Sequence, residues 1–135
     1  MLLKNGNYVN SRWVNYVLFD DSIKNISERI YKVEFGGEIE EVPVTQIPVT
    51  KFLVFPGVRL ISTIPEQMEY TFDYKEEELY FEIETDVRYM LNLENVAYIN
   101  HVGNIFWLIV MNNGEEIWFK AFHDNVKNFI NNLSK

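Results

Sequence analysis

Alternating and helical hydrophobic patterns divide the chain into a mostly β architecture that ends in a helix. Gln67 to Asp73 alternates cleanly: Met68, Tyr70 and Phe72 point one way, Gln67, Glu69, Thr71 and Asp73 the other. Leu79 to Val87 repeats the pattern, with Leu79, Phe81, Ile83, Thr85 and Val87 inward and Tyr80, Glu82, Glu84 and Asp86 outward. The two segments read as a hairpin with a polar turn around Tyr74 to Glu78. Further strands are predicted over Arg12 to Phe19, Lys51 to Phe55 and Val58 to Ile64, the last two joined by a Pro56-Gly57 turn. Pro43 and Pro48 bracket an irregular, edge-like stretch. Gly36-Gly37 marks a turn between Lys32–Phe35 and Glu38–Val42. A strict two-residue loop there would set Phe35 opposite Glu38 and Glu34 opposite Ile39, mixing apolar and charged positions on each face. The expectation is therefore a bulge or a longer loop.

In the final third, Val96 to Asn100, Ile105 to Met111 and Glu115 to Lys120 read as strands, with turns at His101–Asn104 and Asn112-Asn113-Gly114. Phe122, Val126, Phe129, Ile130 and Leu133 then fall on one face of a C-terminal helix. A short helix is also expected near residues 21–31, where Ile23, Ile26 and Ile30 follow the capping residues Asp20, Asp21 and Ser22. The predicted fold is mostly β (α+β): one domain over 1–135, a bent antiparallel sheet or partly open barrel capped by the C-terminal helix. The run Ile105–Met111 has no polar side, so both of its faces need cover, from the core, the helix, another layer or a second subunit.

Composition agrees. Isoleucine, valine and the aromatics are abundant, while alanine occurs only at Ala97 and Ala121. Without cysteine there is no disulfide, thiolate metal site or cysteine nucleophile, and the expected location is cytoplasmic. The longest apolar run is far short of the ~20 residues of a spanning helix, and no signal peptide is apparent. The Asn- and Ile-rich usage hints at an AT-rich genome.

From Val96 to Leu133 the chain resembles the end of bacterial pleckstrin-homology-like domains. The residues concerned are Ile105–Met111, Asn113-Gly114, Ile117-Trp118-Phe119 and the helical stripe from Phe122 to Leu133. The resemblance implies a scaffold for protein recognition and carries over no functional residue. The basic loop with which some members bind phosphoinositides is missing here.

Charge supplies the main functional lead. The net charge is −8, and residues 66–86 hold nine carboxylates against the single base Lys75. The other 11 acidic and 11 basic residues cancel. Repulsion from phosphate argues against direct binding of nucleic acid or an anionic membrane. The expected binding residues are Glu69, Asp73, Glu76, Glu77, Glu78, Tyr80, Glu82, Glu84 and Asp86, docking on a basic surface of a partner protein. That partner could itself bind nucleic acid: carboxylates on two adjacent strands would give about one charge per ~3.3 Å, half the density of duplex DNA. Like charges facing across strands destabilise, so a fold serving stability alone would intersperse lysine or arginine. Set against this is an ordinary solvated face or protection of a sheet edge.

No catalytic, cofactor or metal motif is present: neither a phosphate-binding glycine loop, nor a serine elbow, nor EF-hand spacing. The expectation is a non-enzymatic inhibitor, immunity or phage counter-defence protein, from a phage or mobile element. One alternative is an oligomeric assembly subunit using strand 105–111; another is a small enzyme or ligand-binding barrel using His101 or His123. Trp13, Trp107 and Trp118 are read as core, with Trp118 or Phe119 the candidate for an exposed anchor.

Overall fold

The computed structural model describes residues 1–62, 81–84, 86–103 and 105–133. Its strands are β1 (Tyr16–Asp20), β2 (Tyr31–Phe35), β3 (Glu38–Val42), β4 (Phe52–Val54), β5 (Val58–Ser62), β6 (Phe81–Glu84), β7 (Val87–Asn92), β8 (Val96–Gly103), β9 (Phe106–Met111) and β10 (Glu116–Lys120). Among the described residues one α-helix, α1 (His123–Leu133), follows. The strands form two antiparallel sheets, ordered β3-β2-β1-β7-β4 and β6-β5-β10-β9-β8. The fold is thus mostly β with a C-terminal helix.

Alternation distributes the apolar side chains over three clusters. On one side of the first sheet, Val17, Phe19, Val33 and Phe52 pack with Met1, Leu3 and Val9 of the N-terminal segment. On its other side, Tyr16, Tyr89 and Leu91 meet Trp107, Ile109, Met111, Ile117 and Phe119 of the second sheet, with Val126, Phe129 and Ile130 of α1. Leu60, Leu108 and Trp118 form the third cluster, joined by half-buried Val102, Phe106 and Val110. The two-sided apolar strand is explained by this division. Trp107, Ile109 and Met111 enter the core shared with α1, while Leu108 on the opposite face is buried against side chains of its own sheet.

Several sequence expectations are corrected. No α-helix forms over 21–31; the only helical turn there is a 3-10 turn, Ile26–Glu28. Asp20 accepts from the amide and hydroxyl of Ser22, and Asn25 does the same for Ser27, so side chains take up local donors that an α-helix would order differently. The isoleucine stripe gains little from burial, since Ile26 and Ile30 remain exposed. The strand expected from Arg12 begins only at Tyr16, after a 3-10 turn that leaves Trp13 69% exposed, whereas Trp107 and Trp118 are core. Neither Trp118 nor Phe119 is an exposed anchor, as both are buried. Phe122 precedes the helix rather than lining its inner face and is 74% exposed.

The Gly36-Gly37 hairpin is the most instructive correction. Its loop has two residues, with Phe35 opposite Glu38 and Glu34 opposite Ile39. Both glycines adopt positive φ, 58° and 82°, as a tight hairpin turn requires. The mixed face is tolerated because Glu34 is buried with partners: Asn15 Nδ2 donates to Oε2 at 2.9 Å, and the Gly37 amide donates to Oε1 at 3.0 Å. Ile39 lies exposed instead.

Candidate functional site

Among the expected binding residues, Glu69, Asp73, Glu76, Glu77, Glu78 and Tyr80 lie outside the described residues, as does the predicted pairing of 67–73 with 79–87. Glu82 and Glu84 belong to β6, which pairs with β5 in the register Arg59–Glu84, Leu60–Ile83, Ile61–Glu82 and Ser62–Phe81. Among the described strands β6 is an edge of the second sheet. Asp86 is exposed, and its carbonyl accepts from the Asp21 amide at 2.7 Å. The alternation that runs through Val87 therefore spans two sheets. Val87 opens β7, which pairs with β1 and β4 in the first sheet.

Four bases have ion-pair partners outside the acidic window. Lys4 lies 3.6 Å from Glu41 and Lys51 3.2 Å from Glu94, while Arg29 and Arg88 each lie 3.7 Å from Asp21. Arg59, opposite Glu84 in the register, donates from Nη1 to the Tyr89 phenol oxygen at 2.8 Å.

The two histidines, taken separately in the sequence, converge. Register sets His101 of β8 opposite Trp107 of β9, and their rings stack 4.3 Å apart at 17°. The Ala121 amide donates to the Ile105 carbonyl at 2.9 Å, which ties the entry of α1 to the start of β9. His123, the first helical residue, thereby comes within 5.0 Å of the His101 ring and 5.7 Å of the Trp107 ring, centroid to centroid. Both histidines are exposed, whereas Trp107 is buried and its Nε1 has no hydrogen-bond partner among the described residues. The Asp124 carboxylate is 3.7 Å from His123 Nδ1. Among the described residues no group of three or more histidines or carboxylates is arranged to hold a metal ion.

A cavity of about 390 Å³ opens beside α1 between the Phe55-Pro56-Gly57 turn, Ile105 and the Lys120–Phe122 junction, with Arg88 and Asn125 at its margin. Gly57 permits the close approach of these segments. A Cβ there would lie 2.9 Å from both Ala121 Cβ and the Lys120 carbonyl oxygen. Sequence reading found the Pro56-Gly57 turn but had no signal for what packs against it.

A polar network crosses between the sheets. Tyr16 donates its hydroxyl to Glu115 Oε1 at 3.2 Å. Burial, reinforced by the nearby Glu34 charge, raises the Glu115 pKa above the ordinary carboxylate range. Burial and then the Glu115 charge push the Tyr16 phenol well above its ordinary value. Glu115, placed by the sequence at the start of a strand, is thus half-buried and bonded to a residue 99 positions away. No helix among the described residues is long and apolar enough to cross a membrane. No known protein family, curated protein or solved structure matches this chain.

Proposed function

We propose that this chain is a small acidic binding protein without catalysis, whose segment Glu69–Asp86 docks on a basic surface of a partner protein. The observation that carries the reading is the confinement of the whole net charge of −8 to residues 66–86. Two features support it. Strand β6, with positions Glu82 and Glu84, lies at the edge of the described part of its sheet. Lys4, Arg29 and Lys51 pair with carboxylates from elsewhere in the chain. Such a charge concentration accelerates encounter with a cationic partner and weakens with salt. In this reading the protein acts in the cytoplasm as an inhibitor, immunity or counter-defence protein. Its two sheets form a bent, partly open barrel of pleckstrin-homology-like kind, supported by their shared core and the helix packed into it.

The second reading, an assembly subunit using strand 105–111, is favoured by the outer face of that strand, where Phe106 and Val110 are only half-buried. The test is a capture experiment with the native chain and the triple variant Glu82→Lys, Glu84→Lys, Asp86→Lys as parallel baits, followed by association kinetics on whatever protein binds. The expected result is a partner lost at high salt and associating at least about tenfold more slowly with the variant. A partner that binds both baits alike, at low and high salt, would sink the reading.

A further inference from the structure

We propose that His101 and His123 form a labile binding site for a divalent transition-metal ion such as Zn²⁺ or Cu²⁺, clamping the end of β8 to the start of α1. This inference is independent of the acidic docking surface. The chain has only two histidines, 22 positions apart, and the fold brings their rings to a 5.0 Å centroid separation. A metal about 2.0–2.1 Å from one nitrogen of each imidazole holds the two centroids about 4.5 Å apart at a right angle and about 5.2 Å apart at the tetrahedral angle. The observed spacing falls between these values, with the rings tilted 51° to each other.

The anchoring differs on the two sides. His101 is held flat against buried Trp107, so its orientation is fixed before a metal arrives. His123 is the first residue of α1, with the Asp124 carboxylate 3.7 Å from Nδ1, beyond hydrogen-bond reach, so its ring can turn to meet a metal. Imidazole suits zinc, copper and nickel, whereas magnesium and calcium seek oxygen donors. With two protein ligands the remaining positions fall to water, so the site is exchangeable rather than a closed structural one.

The probe is Zn²⁺, titrated by calorimetry into the full chain in a large excess of Mg²⁺, which saturates carboxylate sites. The expected result is one Zn²⁺ per chain, with His101→Ala and His123→Ala each weakening binding at least about tenfold. Both side chains are exposed, so the variants should fold, which circular dichroism checks. A second measurement needs no variant: on adding Zn²⁺ to the native chain, the imidazole NMR resonances of both histidines should shift together, with saturating Zn²⁺ raising the melting temperature. Native-like affinity in either variant, displacement by Mg²⁺, or unmoved histidine resonances would overturn the proposal.

Discussion

Replacing Asn15 with alanine tests the buried pairing that lets Glu34 face inward in β2. Asn15 is 6% exposed and Glu34 5% exposed, and the amide of the one donates to the carboxylate of the other at 2.9 Å. Asn15→Ala removes that donor and leaves Glu34 Oε2 buried without it; the second carboxylate oxygen keeps the Gly37 amide. A hydrogen bond to a charged group contributes about 1.5–3 kcal/mol, and an unsatisfied buried partner adds to the cost of deletion. The expected loss is therefore about 2–3 kcal/mol, or roughly 7–10 °C in melting temperature for a chain of this size. Urea unfolding of the native chain, Asn15→Ala, Glu34→Ala and the double variant closes the cycle. The coupling energy should come to about 1–2 kcal/mol, the double variant losing less than the sum of the singles. Pairing with β1, Glu34 opposite Tyr16, fixes the side on which that carboxylate lies. A loss under about 0.5 kcal/mol with no coupling, the usual result for a surface site, would refute the buried Asn15–Glu34 pair.

Two further outcomes are expected. Glu115 has a folded-state pKa raised above 4.5 by burial and by the Glu34 charge, so the folded chain holds that proton more tightly than the unfolded one. Its ionised form therefore costs stability at neutral pH, a cost that fades as pH falls through the raised value and vanishes below 4.5. Glu115→Gln, which keeps an acceptor for Tyr16, should accordingly be more stable than the native chain at pH 7 and equal to it near pH 4, read by thermal unfolding at each pH; equal stability throughout would count against the buried network. Gly57→Ala forces a Cβ to 2.9 Å from Ala121 Cβ and the Lys120 carbonyl oxygen and should cost about 1–3 kcal/mol in urea unfolding. Adding Ala121→Gly should recover only part of that loss, since the carbonyl remains; no loss in the single variant would contradict the close approach.

The sequence alone determined the class of fold, the final β9–β10–α1 succession and the charge distribution. Each is written in local periodicity or composition, which do not depend on neighbours far along the chain. The Asn113-Gly114 turn and the Val126–Phe129–Ile130 stripe appear where the pattern placed them. Strand β7 went unread beyond Val87, although Val87, Tyr89 and Leu91 alternate with Arg88 and Met90. Nothing local reveals that the chain changes sheets at Asp86 and that Tyr89 and Leu91 then face the shared core. The helix expected near Ile26 failed for the converse reason. Its stripe is periodic, but Ile26 and Ile30 stay exposed, and a short helix without a buried face is marginal. Tertiary structure alone decided the burial of Glu34, the bond from Tyr16 to Glu115 and the meeting of His101 with His123. Each depends on a strand register or a chain reversal that brings together residues from 19 to 99 positions apart. Burial and pairing at that range come from packing of the whole chain, and no short window of sequence encodes them.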